Sequence, residues 1–311
     1  RRVPRGAGRR GPVDLPRVGD DAPALPGDTR EAGAGAPGAV HLGWRLARAA
    51  QVPLRVVSAV SDPIVDVVAA GVGIEAGKHH ERLVARRRAE LTAALDPVLP
   101  LDVLTGAISV HLGRAEQVIA HQAHRFDAGL VVLAGAFPTG GERPARVARH
   151  LLRTVKRPVV LSGSRAGDIG RVVAGVDVSF AAEPTLRFAE DLSRLLGTGF
   201  EAVHVVAHPD VPVEWAGSPR AAKGLADTGA RAALEMMDAL LPEDVPRRIA
   251  SGEVLATLRA EAENDPAALL VVGDQGRGWI HRRVVGSTTE ALLTECSAAL
   301  AVLPLVRPDP T

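Results

Sequence analysis

Apolar residues recur along this chain in two alternating rhythms. Short unbroken runs, LRVVSAV at 54–60, AGLVVL at 128–133, PVVL at 158–161, RVVAGVDVS at 171–179, EAVHVV at 201–206 and LLVV at 269–272, read as strands buried on both faces. LDVLTGAI at 101–108 and Arg247 to Ile249 read as further short strands. Between them lie segments whose apolar positions return every three or four residues: Trp44 to Ala50, Lys78 to Leu95, Ala115 to His124, Arg146 to Val155, Thr185 to Leu196, Ala226 to Leu241 and Gly252 to Glu263. These read as amphipathic helices. Strands that alternate with helices of this length imply parallel βαβ units and an α/β fold.

The second half of the chain repeats the first at an offset of roughly 140 residues, as an alignment of landmarks shows. WRLARAA answers to RFAEDLSR, RVVSAV to AVHVVA, HLGRAEQVI to ASGEVLATL, AGLVVLA to ALLVVGD, and HLLRTVKRPVVL to ALLTECSAALAVL. A single repeat of domain length indicates duplication. The expected division is therefore a tail over 1–33, one domain over 34–165 and a second over 168–308. The tail is dense in Arg, Pro, Gly and Asp, a composition that buries too little apolar surface to offset ordering entropy.

The chemistry gathers at 269–290, LLVVGDQGRGWIHRRVVGSTTE. Gly273 stops a buried strand where an open α/β sheet presents its ligand site, and Gly276 allows a tight, side-chain-free turn. Gly286, Ser287 and Thr288 then precede the helical segment that includes Ala291, Leu292 and Leu293. The unpaired N–H groups and positive dipole end of a helix start suit a phosphate. The plain alternative is structural: Ser287 and Glu290 have capping-box spacing, so the same residues could do no more than cap a helix.

Together Gly273, Gly276, Gly286 and Ser287 resemble the G-x2-G-x9-G-S/T signature of ATP-binding universal stress proteins, and the two halves resemble a tandem member of that family. The resemblance implies two Rossmann-like domains, each an open five-stranded parallel sheet of order 3-2-1-4-5 flanked by helices. It implies ATP, with magnesium as an optional companion, at the carboxyl edge of the second domain. Val176 and Asp177 would meet the adenosine portion, Val205 the adenine, and Val272 and Gly273 the end of the fourth strand. Gly276, Arg277, Gly286, Ser287 and Thr288 would hold ribose and phosphates. Without the resemblance, Asp177 reads as a turn or cap residue. The first half departs from the motif: Ala134 stands for Gly273, Phe137 for Gly276, and Ala145, Arg146 and Val147 for Gly286, Ser287 and Thr288. The counterpart of Asp177 falls near Gly33. That half is expected to keep the fold without the nucleotide.

The family likeness further implies a stress-response regulatory or sensing role, an internal pseudo-dimer formed through the fifth strands (Pro158 to Leu161 and Leu300 to Leu303), and a homodimer of chains. A slow ATPase or nucleotide-dependent transferase on the same fold, and a ligand-free scaffold, are the competing readings. The sequence shows no positioned general base, so no catalytic residue is assigned.

Composition narrows the field. A net charge of +1 gives no global case for nucleic acid or an anionic membrane. One cysteine, Cys296, excludes an internal disulfide and suits a cytoplasmic location. The arginine-rich N-terminus lacks the apolar core of a signal peptide, and no run reaches the ~20 apolar residues of a membrane span. The G-x-G-x-x-A string of Gly71, Gly73 and Ala76, the pair Gly77-Lys78, His79 with His80, and His121 with His124 each lack the partners that a dinucleotide, P-loop or metal site needs. No metal site is expected.

Overall fold

The structure, a computed structural model, describes residues 35–60, 73–135, 142–163, 168–177, 179, 181–206, 219–275 and 285–305. In chain order these form α1 (Gly35–Ala49), β1 (Val56–Val60), α2 (Gly73–Leu95), α3 (Leu101–Ala107), β2 (Ile108–Leu112), α4 (Ala115–Arg125), β3 (Val131–Leu133), α5 (Glu142–Thr154) and β4 (Val159–Leu161). There follow β5 (Arg171–Val176), α6 (Ala182–Leu196), β6 (Gly199–Val206), α7 (Pro219–Leu240), β7 (Arg247–Ser251), α8 (Val254–Glu263), β8 (Ala268–Gly273), α9 (Ser287–Glu295) and β9 (Ala299–Leu303). The fold is α/β, with parallel pairing dominant and helices flanking the sheet.

One expectation fails clearly. LDVLTGAI is not a strand: Leu101–Ala107 is helical, and the strand is the following ISVHL. Pro100 stands just before the helix and Asp102 lies in its first turn, while buried Leu104 and Ala107 are three apart on one helical face. A short apolar run does not separate strand from helix, and the start signals around Pro100 decide it here.

Seven strands form one sheet in the order β3-β4-β9-β8-β5-β6-β7. The five from the second half are mutually parallel with β5 at their centre, between β6 and β8. The strands β4 and β9 meet antiparallel, Val159 opposite Val302, Val160 opposite Ala301 and Leu161 opposite Leu300. Elsewhere β1 and β2 pair in parallel as a separate two-stranded sheet. The counterpart of β5 in the first half would fall upstream of α1, among residues 1–34, which lie outside the described residues, so a five-stranded sheet of the first half is not displayed.

Alternation along each strand feeds a core on either side. Val172, Ala174 and Val176 of β5 and Leu269 and Val271 of β8 pack under Leu186, Ala189 and Leu192 of α6, together with Leu42 and Leu46 of α1. Val173, Leu270, Val272 and Val302 pack on the other face with Leu258 of α8, Leu292 of α9 and Leu151 of α5. Both clusters therefore take helices from both halves, and the β4–β9 seam lies inside the core. At 0 % exposure for Val159, Val160, Leu300 and Ala301, this seam is as dry as the centre of the sheet.

Two glycines make its end possible. Gly163 adopts φ +76°, and a Cβ there would lie 2.7 Å from the Ala299 nitrogen and 2.8 Å from the Ala298 carbonyl carbon. A Cβ on Gly135 would meet the Gly163 backbone at 2.5 Å. Gly163→Ala is expected to destabilise the protein by about 2–4 kcal/mol, since both obstructing groups are backbone and φ is left-handed. Gly199→Ala, with no atom within 4 Å of its new Cβ, is the control and should change stability by no more than about 1 kcal/mol. Equal denaturation midpoints for the two variants would contradict the close approach.

Candidate functional site

The carboxyl ends of β5 and β8 adjoin at the point where the chain order of the sheet reverses, the usual ligand position in open α/β sheets. Val176 ends β5, and its carbonyl accepts a hydrogen bond from Nδ1 of buried His204 at 2.7 Å. A carbonyl can only accept, so Nδ1 carries the proton and the imidazole pins the strand end. Asp177 follows, half-buried. Its Oδ1 accepts from the Ser179 hydroxyl at 2.5 Å, and its carbonyl from the Ser179 N–H at 2.9 Å. Ser179 Oγ in turn accepts from the Ala181 N–H, so Asp177 anchors the turn into α6. Val205 lies on β6 next to Ala250 of β7, 8 % exposed.

On the neighbouring strand, Val272 and Gly273 end β8. A Cβ on Gly273 would come to 2.8 Å from Leu305 Cδ1, the far end of a flexible side chain, and 3.3 Å from Thr185 Oγ1 and the Gln275 carbonyl oxygen, so a larger residue there would have to displace Leu305. Asp274 follows and is the hub of the region. Its N–H donates to the Leu303 carbonyl (2.8 Å), its Oδ1 accepts from the Leu305 N–H (2.8 Å), and its carbonyl accepts from the Gly286 N–H (2.7 Å). Thr289 Oγ1 donates to the Gly273 carbonyl at 2.8 Å. Strand end, C-terminal segment and the start of α9 are thus tied together through Asp274.

Gly286, not Ser287, is the N-cap of α9, with φ −62°, ψ 150° and no side-chain cap; its carbonyl accepts the first helical bond from Glu290 N–H at 2.8 Å. The capping-box reading of Ser287 and Glu290 is corrected on this ground: Ser287 is already the first helical residue. The backbone of Gly286 is one that any residue adopts, and among the described residues a Cβ there would meet the Asp274 carbonyl oxygen at 3.4 Å and Gln275 Cα at 3.7 Å, both ordinary contacts. Nothing among the described residues therefore requires glycine at 286. Ser287 is exposed and Thr288 half-buried, so the first turn of α9 faces solvent at the sheet edge. Gly276 and Arg277 lie outside the described residues. Among the rest, the donors at a solvent-facing helix start and the carboxylate at the end of β5 fit an anionic, hydroxyl-bearing ligand such as a nucleotide.

The first half arranges its counterparts differently. Its helix α5 begins at Glu142, with Pro144 in the first turn, where a missing N–H breaks no helical bond. Arg146, the counterpart of Ser287, is therefore well inside the helix and reaches Glu116 at 3.5 Å. Ala145 and Val147 are buried and Ala134 is half-buried. Phe137 lies outside the described residues. No helix start faces solvent at the aligned place.

Other candidates resolve into structure. Cys296 is 4 % exposed, and burial pushes its thiol pKa up, away from reactivity. His79 and His80 sit 6.5 Å apart on α2, and no group of three potential metal ligands occurs among the described residues. No helix among the described residues is long and apolar enough to cross a membrane.

Residues 169–304 match the model of the universal stress protein family. No curated protein matches the chain. Among solved structures, a protein described as a universal stress protein from Pseudomonas aeruginosa UCBPP-PA14 is similar at 17 % identity and TM-score 0.54, over 84 % of this chain and 86 % of that one. A universal stress protein from Archaeoglobus fulgidus DSM 4304 is similar at 16 % identity and TM-score 0.50, over 85 % and 92 %. A protein of unknown function from Pseudomonas aeruginosa PAO1 gives 16 % and 0.52, over 84 % and 85 %. At these identities the likeness is one of fold.

Sequence reasoning missed Asp274, although its place directly after a buried strand was a signal. Burial lifts its carboxyl from the ordinary 3.8 to about 6, against the opposing pull of the Leu305 N–H. A carboxyl raised in the folded state favours folding below pH 4, and that contribution is lost as pH rises through 6. Asp274→Asn keeps an oxygen for Leu305 without the charge. It is expected to raise stability above pH 7 by up to roughly 3 kcal/mol and to leave it unchanged near pH 4. Melting temperatures across that range that run parallel for the two proteins would refute the assignment.

Proposed function

We propose that the chain binds ATP once, in its second half, and serves as a stress-response regulatory or sensing module. The observation that carries this reading is the solvent-facing first turn of α9 beside the ends of β5 and β8, with a glycine at 286 that nothing among the described residues requires. Adenosine would lie against Val176, Asp177, Val205, Val272 and Gly273. The phosphates would lie on Gly276, Arg277, Gly286, Ser287 and Thr288, accompanied by magnesium where the nucleotide brings it. The family match over 169–304 supports a nucleotide there, and the position of 145–147 inside a helix, with Ala145 and Val147 buried, argues against a second one in the first half.

In this reading the chain is a tandem of two stress-protein domains, held as an internal pseudo-dimer by the β4–β9 seam, and chains pair further into a homodimer. Slow ATP hydrolysis is the second reading, favoured by one feature: a carboxyl with a pKa of about 6 at Asp274 is poised for proton transfer near neutral pH.

Titration calorimetry on the full chain tests the main reading. One ATP per chain is expected. Ser287→Ala should weaken binding by about 1 kcal/mol, the worth of one hydrogen bond. Gly286→Val should weaken it at least tenfold while leaving the melting temperature nearly unchanged, because its Cβ makes ordinary contacts with the Asp274 carbonyl oxygen and Gln275 Cα in the fold and would meet phosphate in the complex. Undiminished binding by Gly286→Val, or two ATP per chain, would overturn the proposal. Phosphate release that vanishes in Asp274→Asn would establish the second reading.

A further inference from the structure

The proposed phosphate site belongs to the second half, yet the first half reaches into its supporting helix. Arg149 on α5 forms an ion pair with Glu290 on α9, both partly buried. Glu290 is in the first turn of α9, and its N–H makes the first bond of that helix, to Gly286. Side chains on a helix lean toward its N-terminus, so the Glu290 carboxylate leans toward the turn that would hold phosphate. An unpaired anion there opposes a bound polyanion, and its neutralisation removes that opposition.

The pair is also set by the repeat. With His150 aligned to Ala291, Arg149 is the counterpart of Glu290, and the two stand 141 residues apart in sequence. They meet because β4 and β9 cross with Val160 opposite Ala301, which brings α5 and α9 side by side. Two identical halves would set like charges face to face at this point. The divergence of one copy to Arg and the other to Glu converts a repulsion into a neutral pair. The first half, whose residues aligned with the start of α9 lie inside a helix, thereby supplies a cation next to the other half's site.

Resting on the nucleotide reading above, we propose that Arg149 is a positioning residue of the first half that tunes phosphate affinity in the second half by neutralising Glu290. Phosphate affinity then depends on the docking of the two halves, and the seam between them becomes a means of regulating the site.

The test is a double-mutant cycle on the full chain, read by titration with ATP and with adenosine at low and high salt. Arg149→Met keeps the aliphatic stem and frees the carboxylate, so ATP should bind about three- to tenfold more weakly at low salt. Glu290→Gln leaves the guanidinium uncompensated, so ATP should bind more tightly by a similar factor. The double variant should return to within about twofold of the parent, adenosine should be unaffected throughout, and high salt should compress every difference. A purely structural role would weaken ATP and adenosine alike in both single variants. That result, or single variants that leave ATP affinity unmoved while the parent binds it, overturns the inference. A parent chain that binds neither ligand overturns the nucleotide reading itself, and the tuning with it.

Discussion

The antiparallel contact of β4 with β9 is the constraint from which the rest follows. Each is the last strand of its half, and each would end as an edge with unpaired N–H and C=O groups in apolar surroundings. Their pairing removes both edges at once and lets the sheet run on from β3 to β7. Because Val160 points to one face and Val159 and Leu161 to the other, the seam also joins the two core layers across the halves. Helices that would otherwise cover separate sheets then share one: α1 lies with α6 and α7, and α5 with α8 and α9.

The candidate site hangs from that seam through a short chain of backbone bonds. Leu303 closes β9 and receives the Asp274 N–H; the Asp274 carbonyl receives the Gly286 N–H; the Gly286 carbonyl receives the first helical bond of α9. The start of α9 is therefore positioned by the strand that the first half holds in place. A site on a loop alone would lack this fixity, and the backbone path explains why a helix start can serve without a side-chain cap.

Much of this was legible in the sequence, and the failures have physical causes. Strands such as Leu269 to Val272 and Arg171 to Val176 are buried on both faces and read as unbroken apolar runs, a pattern that survives without any structure. LDVLTGAI misled because eight residues are too few to distinguish a period of two from one of 3.6, and the helix was decided by Pro100 and Asp102 at its start. The glycines of 273–286 were visible as a pattern, but their reasons were not. Gly273 is crowded by Leu305 and Thr185, contacts between segments far apart in the chain, whereas nothing among the described residues requires glycine at 286. Ser287 looked like a cap because spacing alone cannot say which residue first adopts helical dihedrals. The roles of Asp274 and Arg149 were not legible for a related cause, although Asp274 was marked by its place after a buried strand: their partners are fixed by tertiary docking.

The two halves solve the same closing problem in opposite ways, and the difference bears on function. After β3, Gly135 donates to Ser162 Oγ, and its backbone lies so close to Gly163 that neither position admits a Cβ. At the aligned place after β8, Asp274 takes the role of Gly135, and its carboxylate secures Leu305. The glycine solution is dense and carries no desolvation cost. The carboxylate solution places a charge in a site only 8 % exposed, which opposes folding at neutral pH. A fold that has the first solution available in its own repeat does not need the second for stability alone. What Asp274 adds is reach: from one residue it fixes the C-terminal segment with its side chain and the start of α9 with its carbonyl. The costlier arrangement sits in the half whose helix start is open to solvent, and the other in the half whose corresponding residues lie inside a helix. That distribution accords with the single binding site proposed for the second half.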